Sequence, residues 1–173
     1  MRKLLIESLF RGPATEPPPS LRDSELEQVG EALQRETRGL LGRSLSIRQV
    51  DAGSCNACEL EINALNNAYY DVERFGIRFV ASPRHADVML VTGPVTKNMR
   101  EALERVHRAM PDPKWVVAAG ECACTGGLFR ESYACVGGVA EVLPVDLRIE
   151  GCPPRPIDLL RGLLALLQKN VSR

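Results

Sequence analysis

Six cysteines carry the chemistry this 173-residue chain could perform: Cys55, Cys58, Cys122, Cys124, Cys135 and Cys152. Only Cys55 and Cys58 form a CxxC pair; the others stand apart. A chain of this length can bury a core without covalent staples, so metal or redox chemistry is a better use of these thiols than disulfides. The arithmetic leaves a zinc site, an iron–sulfur site or a dithiol redox pair. Structural zinc sites usually combine two paired knuckles. One pair plus isolated cysteines in glycine-rich loops favours a cluster, with a structural zinc domain as the rival from another class. A thioredoxin-like dithiol leaves Cys122 and Cys152 without a role. Cys124 and Cys135 read as buried small hydrophobes, although spacing alone does not separate Cys122 from Cys124 as a ligand.

The surroundings of these cysteines suit a cluster. Gly53 and Ser54 precede Cys55, Gly120 precedes Cys122, Gly126 and Gly127 follow it, and Gly151 and Pro153–Pro154 flank Cys152. Glycine lets the backbone approach closely and turn sharply. Amides freed by such turns can donate to sulfur and raise a reduction potential, and proline after a ligand cysteine recurs in ferredoxin-type sites. His85 and His107, the two histidines, have no metal-ligand spacing and read as exposed or capping residues. No Ser–His–Asp set, phosphate loop or GxGxxG is present.

Bulk properties narrow the class. Lys and Arg number 22 against 22 Asp and Glu, so no basic surplus supports nucleic-acid binding. Hydrophobic residues are 45% and charged residues 25%, the balance of a globular protein. No run of about 18 apolar residues spans a bilayer. The start MRKLLIESLFRGP lacks a signal-peptide hydrophobic region, and the expected location is the cytosol or a membrane face reached through partners.

The elements that must position the thiols alternate between strand and helix. Pro17–Pro19 favours an extended polyproline stretch. Ser24–Leu41 has helical spacing, with Ser24 as N-cap and Glu27 completing a capping box; it reads as a solvated helix on the domain edge or an arm lying on a partner. Strands are expected at Leu45–Val50, Ile77–Ala81, Val88–Thr92, Trp115–Ala119 and Val145–Ile149. Helices are expected at Glu59–Phe75, Lys97–Met110 and Ile157–Leu167, the last opened by Pro156. Apolar strands separated by helices imply an α/β fold, a flavodoxin-like doubly wound parallel sheet. Residues 1–43 are expected to form an N-terminal arm and helix for partner contact, and residues 44–173 the cluster-binding domain. Cys55 and Cys58, Cys122 and Cys152 then fall just past carboxyl ends of strands, where sites assemble in open α/β sheets.

GSCNACELEI (Gly53–Ile62), SPRHADVMLVTG (Ser82–Gly93), GECACTGG (Gly120–Gly127) and VLPVDLRIEGCPP (Val142–Pro154) together resemble one small-subunit family, shared by membrane-bound [NiFe]-hydrogenases and complex I, the NADH–quinone oxidoreductase. The resemblance covers about Ser44–Leu167. The quinone-reducing branch typically carries adjacent cysteines in the first motif, whereas Cys55-Asn56-Ala57-Cys58 is similar to group 4 hydrogenases of the formate hydrogenlyase type. The resemblance implies one [4Fe–4S] cluster on Cys55, Cys58, Cys122 and Cys152, and prefers Cys122 to Cys124. It implies Arg84 as a charge that tunes the cluster, against a bland ion pair with Asp87 or Glu73. For Glu59 it offers a proton-path position, against simple helix N-terminal charge complementarity. The implied partners are a large subunit of Ni–Fe or complex I type, a ferredoxin-like iron–sulfur subunit and integral membrane subunits, on the cytoplasmic side of the membrane. The alternative is a cluster-bearing subunit of an NADH–quinone oxidoreductase.

Overall fold

A computed structural model describes residues 23–171, so the expected polyproline stretch lies outside the described residues. The chain opens with helix α1 (Ser24–Leu41), then β1 (Leu45–Asp51), α2 (Ala57–Ala64), a 3₁₀ turn (Val72–Phe75) and β2 (Ile77–Phe79). A second 3₁₀ turn (Pro83–His85) leads to β3 (Val88–Thr92), β4 (Val95–Thr96), α3 (Lys97–Ala109) and β5 (Trp115–Ala119). The remainder holds α4 (Glu121–Thr125), β6 (Cys135–Gly137), β7 (Leu147–Ile149) and α5 (Pro156–Val171).

The main sheet has five strands in the order β2-β1-β3-β5-β7, and every pairing in it is parallel. This is the flavodoxin-like arrangement, with β4 and β6 set aside as a separate antiparallel pair. β3 and β5 are buried at all five positions because both faces of a parallel sheet are covered. Alternate side chains feed two cores. Ile47, Leu90 and Val117 point toward Leu160 and Leu163 of α5. Val50, Met89, Val91 and Val116 point toward Leu103 of α3.

Helix α1 packs on α5 and puts Leu26 and Leu33 into the first of these cores. The helix expected as a solvated helix on the domain edge or an arm on a partner thus contributes two buried leucines to the core of the sheet. Leu33 is 0% exposed, so Leu33→Ala is expected to cost about 2–5 kcal/mol, read as a lower denaturant midpoint. A helix that merely lay on a partner would lose almost nothing. The cap differs from the expected Ser24: Asp23 is the N-cap, its carboxylate accepting from the Glu25 amide at 3.0 Å. A helix beginning one residue earlier needs its acceptor one residue earlier.

Several element boundaries depart from expectation. The helix expected over Glu59–Phe75 stops at Ala64, since Asn67 Oδ1 accepts from the amides of Tyr69 (2.8 Å) and Tyr70 (2.9 Å) and replaces the helical acceptors. Asp71, at φ 42°, then turns the chain into the 3₁₀ segment. The last strand starts at Leu147, two residues later than expected. The pair β4–β6 is absent from the sequence expectations; its strands of two and three residues are too short to show alternation.

Candidate metal centre

The loops that leave β1, β5 and β7 at their carboxyl ends meet at one small pocket, lined by Cys55, Cys58, Cys122 and Cys152 together with Gly93, Glu121, Gly151 and Pro153. In the β1 loop, Asp51 Oδ1 accepts from the amides of Gly53 and Ser54, both at 2.7 Å. Ser54 Oγ accepts from the Asn56 amide at 3.0 Å and donates to Glu59 Oε2 at 2.5 Å. Asn56 occupies the left-handed region at φ 73°, and α2 then begins at Ala57. The two-residue spacer thus leaves Cys55 exposed in the loop and buries Cys58 in the first helical turn.

The other two loops are tied to each other. The Gly120 amide donates to Ile149 O and the Glu121 amide to Gly151 O, both at 2.8 Å. Cys122 consequently faces the pocket beside exposed Cys152. Cys124 turns the opposite way, its thiol directed at Ala118 O (3.6 Å) and Ile149 O (3.7 Å). Burial pushes the Cys124 thiol up to about 11, as suits a core residue. Cys135 corrects the expectation of a buried hydrophobe: it is half-buried on β6 and belongs to neither core.

Burial is the main cause that pushes the Cys58 thiol up to about 12, followed by the negative charges of Glu59, Cys55, Cys122 and Cys152. Cys122 is raised by burial first, then by Cys152, Cys55 and Glu121. Ionising thiols this close together is opposed by burial and mutual repulsion, and a cationic centre would offset both. The walls are shaped to the sulfurs. A Cβ on Gly120 would lie 2.6 Å from Cys58 Sγ, and one on Gly127 would lie 2.8 Å from Cys122 Sγ. Among the described residues, no three His, Cys, Asp or Glu side chains close on a point that could hold one metal ion. A tetrahedral zinc with Zn–S of about 2.3 Å would require thiolates about 3.8 Å apart. Four thiols on one pocket are a donor set that an iron–sulfur cluster can use.

Glu59 does sit in the first turn of α2, but it is 7% exposed and holds the Ser54 hydroxyl, with Oε1 unpartnered among the described residues. Its visible work is to fasten the Cys55 loop to the helix. Sequence reasoning does not single out Ser54 for this; a hydroxyl and a carboxylate flanking the CxxC five residues apart are the only signal. Gly93 is likewise a site residue that sequence reasoning misses. Its position, at φ 74°, would drive a Cβ to 2.5 Å from the Ser54 amide nitrogen, so only glycine lets the β1 loop cross the end of β3.

Arg84 is not brought to the pocket. It is exposed on the Pro83–His85 turn, which crosses from β2 and enters β3 at its amino end. Its expected partner Asp87 is engaged elsewhere, accepting from Arg43 Nη1 (2.8 Å), Arg43 Nη2 (2.5 Å) and the Ser46 amide (2.9 Å). His85 is exposed, and half-buried His107 has its pKa lowered by burial and by Lys114.

The family described as NADH ubiquinone oxidoreductase, 20 Kd subunit, matches residues 55–166, which contain all four pocket cysteines. The chain belongs to this family. Among its relatives, a probable membrane-bound hydrogenase subunit of Pyrococcus furiosus is 46% identical over 75% of this chain and 77% of its own length. Formate hydrogenlyase subunit 7 of Escherichia coli is 45% identical over 75% of this chain and 52% of its own length. An NADH-quinone oxidoreductase subunit of Citrifermentans bemidjiense is 53% identical over 65% of each. A chain in the structure of the membrane-bound sulfane sulfur reductase, an archaeal respiratory membrane complex, superposes with a TM-score of 0.65 at 35% identity, covering 80% of this chain and 75% of its own. These relatives are subunits of oxidoreductase complexes, and this member of the family is a subunit of that kind. Among the described residues no helix is long and apolar enough to cross a membrane.

Proposed function

We propose that this chain binds one [4Fe–4S] cluster through Cys55, Cys58, Cys122 and Cys152 and serves as the electron-transfer subunit of a membrane-associated, complex I-like [NiFe]-hydrogenase. The observation that carries the reading is the convergence of four thiols from three separate loops on one pocket. When bound, such a cluster supplies a one-electron relay. The residues of this chain hold and shape that relay. Cys58 and Cys122 anchor it from the buried side, while exposed Cys55 and Cys152 leave one side of the site at the surface. The Ser54–Glu59 bond and the Asp51 turn hold the CxxC loop in place before any metal arrives.

Exposed Leu60, Leu128, Phe129 and Tyr133 lie on the segments that carry or follow Cys58 and Cys122, and a partner covering them would also exclude water from the site. That partner is a large subunit of Ni–Fe or complex I type. A ferredoxin-like subunit exchanges electrons with the site, and integral membrane subunits hold the assembly at the cytoplasmic face. The chain has only one CxxC and so supplies no nickel site of its own. The Cys55–Cys58 spacing favours the hydrogenase branch over a quinone-reducing complex. Affinity purification of the tagged chain from native membranes is expected to yield a multi-subunit assembly that contains nickel and reduces viologen with hydrogen. An assembly without nickel that oxidises NADH would refute the hydrogenase reading in favour of the quinone branch.

A further inference from the structure

We propose that the pocket between the carboxyl end of α1 and the turn entering β2 binds a phosphate-type oxyanion, carried on a small molecule or a lipid headgroup, with the Thr37 hydroxyl and the Arg38 guanidinium as its principal donors.

This pocket encloses about 390 Å³, the size of a small-molecule site. The segments that lead into β1 and β2, Gly42–Ser44 and Glu73–Gly76, form two of its walls, and the last turns of α1 form the third. It therefore lies at the amino ends of these strands. The cysteines gather at the opposite edge of the sheet, and the two pockets share no residue.

Thr37 is the observation that points to a ligand. It is 1% exposed, lines this pocket, and its Oγ1 has no hydrogen-bond partner among the described residues. A threonine inside a helix can return its hydroxyl to the carbonyl one turn back, and this one does not. A buried hydroxyl without a partner is costly, so the site lacks an acceptor. Water can fill that place in the free chain, and an anion is the stronger acceptor.

The walls carry three arginines, Arg38, Arg43 and Arg74, against one carboxylate, Glu73. Arg43 is held by Asp87 and Arg74 by Glu27, acids that do not line the pocket. Each still has N–H groups of its fork unspent. Arg38 has no ion-pair partner among the described residues. The helix dipole alone accounts for a basic residue in the last turn of α1. It does not account for the orphan hydroxyl, nor for the two arginines that other segments bring. The amides of Arg43 and Ser44 also donate to no backbone carbonyl among the described residues. Such an excess of donors selects a ligand that only accepts. Phosphate oxygens match guanidinium forks and a hydroxyl together. The volume exceeds what a bare phosphate fills, so the anion belongs to a larger body.

The test uses the full chain, titrated calorimetrically at constant ionic strength. The probes are inorganic phosphate, glycerol 3-phosphate, and vesicles of phosphatidylglycerol compared with vesicles of phosphatidylcholine. Saturable binding of glycerol 3-phosphate identifies a soluble ester as the carrier. Binding of phosphatidylglycerol vesicles without binding of either free phosphate identifies a headgroup. In both cases Thr37→Val and Arg38→Gln are each expected to weaken binding by at least about tenfold. Glu73→Gln removes the one opposing charge and is expected to tighten it by about twofold or more. Without ligand, Thr37→Val is expected to melt no lower than wild type, because the hydroxyl it removes has no partner. It is expected to lose the rise in Tm that the bound probe gives the wild type; a purely structural Thr37 would leave that rise intact. No saturable binding of any probe at millimolar concentration would overturn the proposal. So would equal affinity in the wild type, Thr37→Val and Arg38→Gln, which would place the binding on other surface cations.

Discussion

Cys58→Ala protein is expected to purify nearly colourless, with iron falling from about four per chain to less than about one. The other three thiols reach the pocket from its rim and from two further loops, and Cys58 is the one buried in a helical turn. Without it the Cys55 loop presents a single exposed sulfur, and the remaining thiolates cannot cap all four irons. The fold itself should survive. The position is small and at the edge of the core, so the stability cost of the apo protein is about 1 kcal/mol. Cys124→Ala provides the contrast. Its thiol faces the Ala118 and Ile149 carbonyls rather than the pocket, so iron content should remain at the wild-type level. Iron analysis and visible absorbance of the two variants measure the difference. Equal loading of both would show that position 58 is not a ligand.

Gly120→Ala is expected to reduce cluster loading at least as severely without removing any ligand. Gly120 has φ 92°, a conformation that costs a residue bearing a Cβ about 1–3 kcal/mol. Its Cβ would also stand 2.6 Å from Cys58 Sγ. The Gly120 and Glu121 amides bind Ile149 O and Gly151 O, so a shift there is passed to the Cys152 loop as well. One methyl group thereby disturbs three of the four ligands. Gly39→Ala should act in the opposite direction. Gly39 is an exposed position inside α1 with nothing within 4 Å of its Cβ, and the exchange should stabilise the helix by about 0.5–1 kcal/mol. Thermal melting together with iron content of the two variants separates a site effect from a general intolerance of alanine.

Much of the scaffold is legible in the sequence because burial leaves a compositional trace. Val88–Thr92 and Trp115–Ala119 are continuous apolar runs, and the structure has strands with those bounds. The parallel order follows from the helices between them. Features made by single polar side chains are not legible. Asn67 ends α2 by accepting two amides, which no periodicity reports. Asp87 pairs with Arg43, 44 residues away, and not with nearby Arg84, because the β1 and β3 starts are neighbours only once the sheet exists. At the site, the loops bearing the four cysteines can be placed at the carboxyl edge from strand order alone. The choice of Cys122 over Cys124 cannot, since it depends on which side of a five-residue helix faces the sheet. Gly93 and the Ser54–Glu59 clamp belong to the same class: each is a contact between loops, and loops carry no period to read.

Iron and acid-labile sulfide analysis of the anaerobically reconstituted chain, with EPR before and after dithionite, addresses the joint ligation of residues 55, 58, 122 and 152 most directly. About four irons and four sulfides per chain, with visible absorbance that bleaches on reduction and a new paramagnetic signal, is the expected result. A colourless protein that retains one zinc and no sulfide would contradict it.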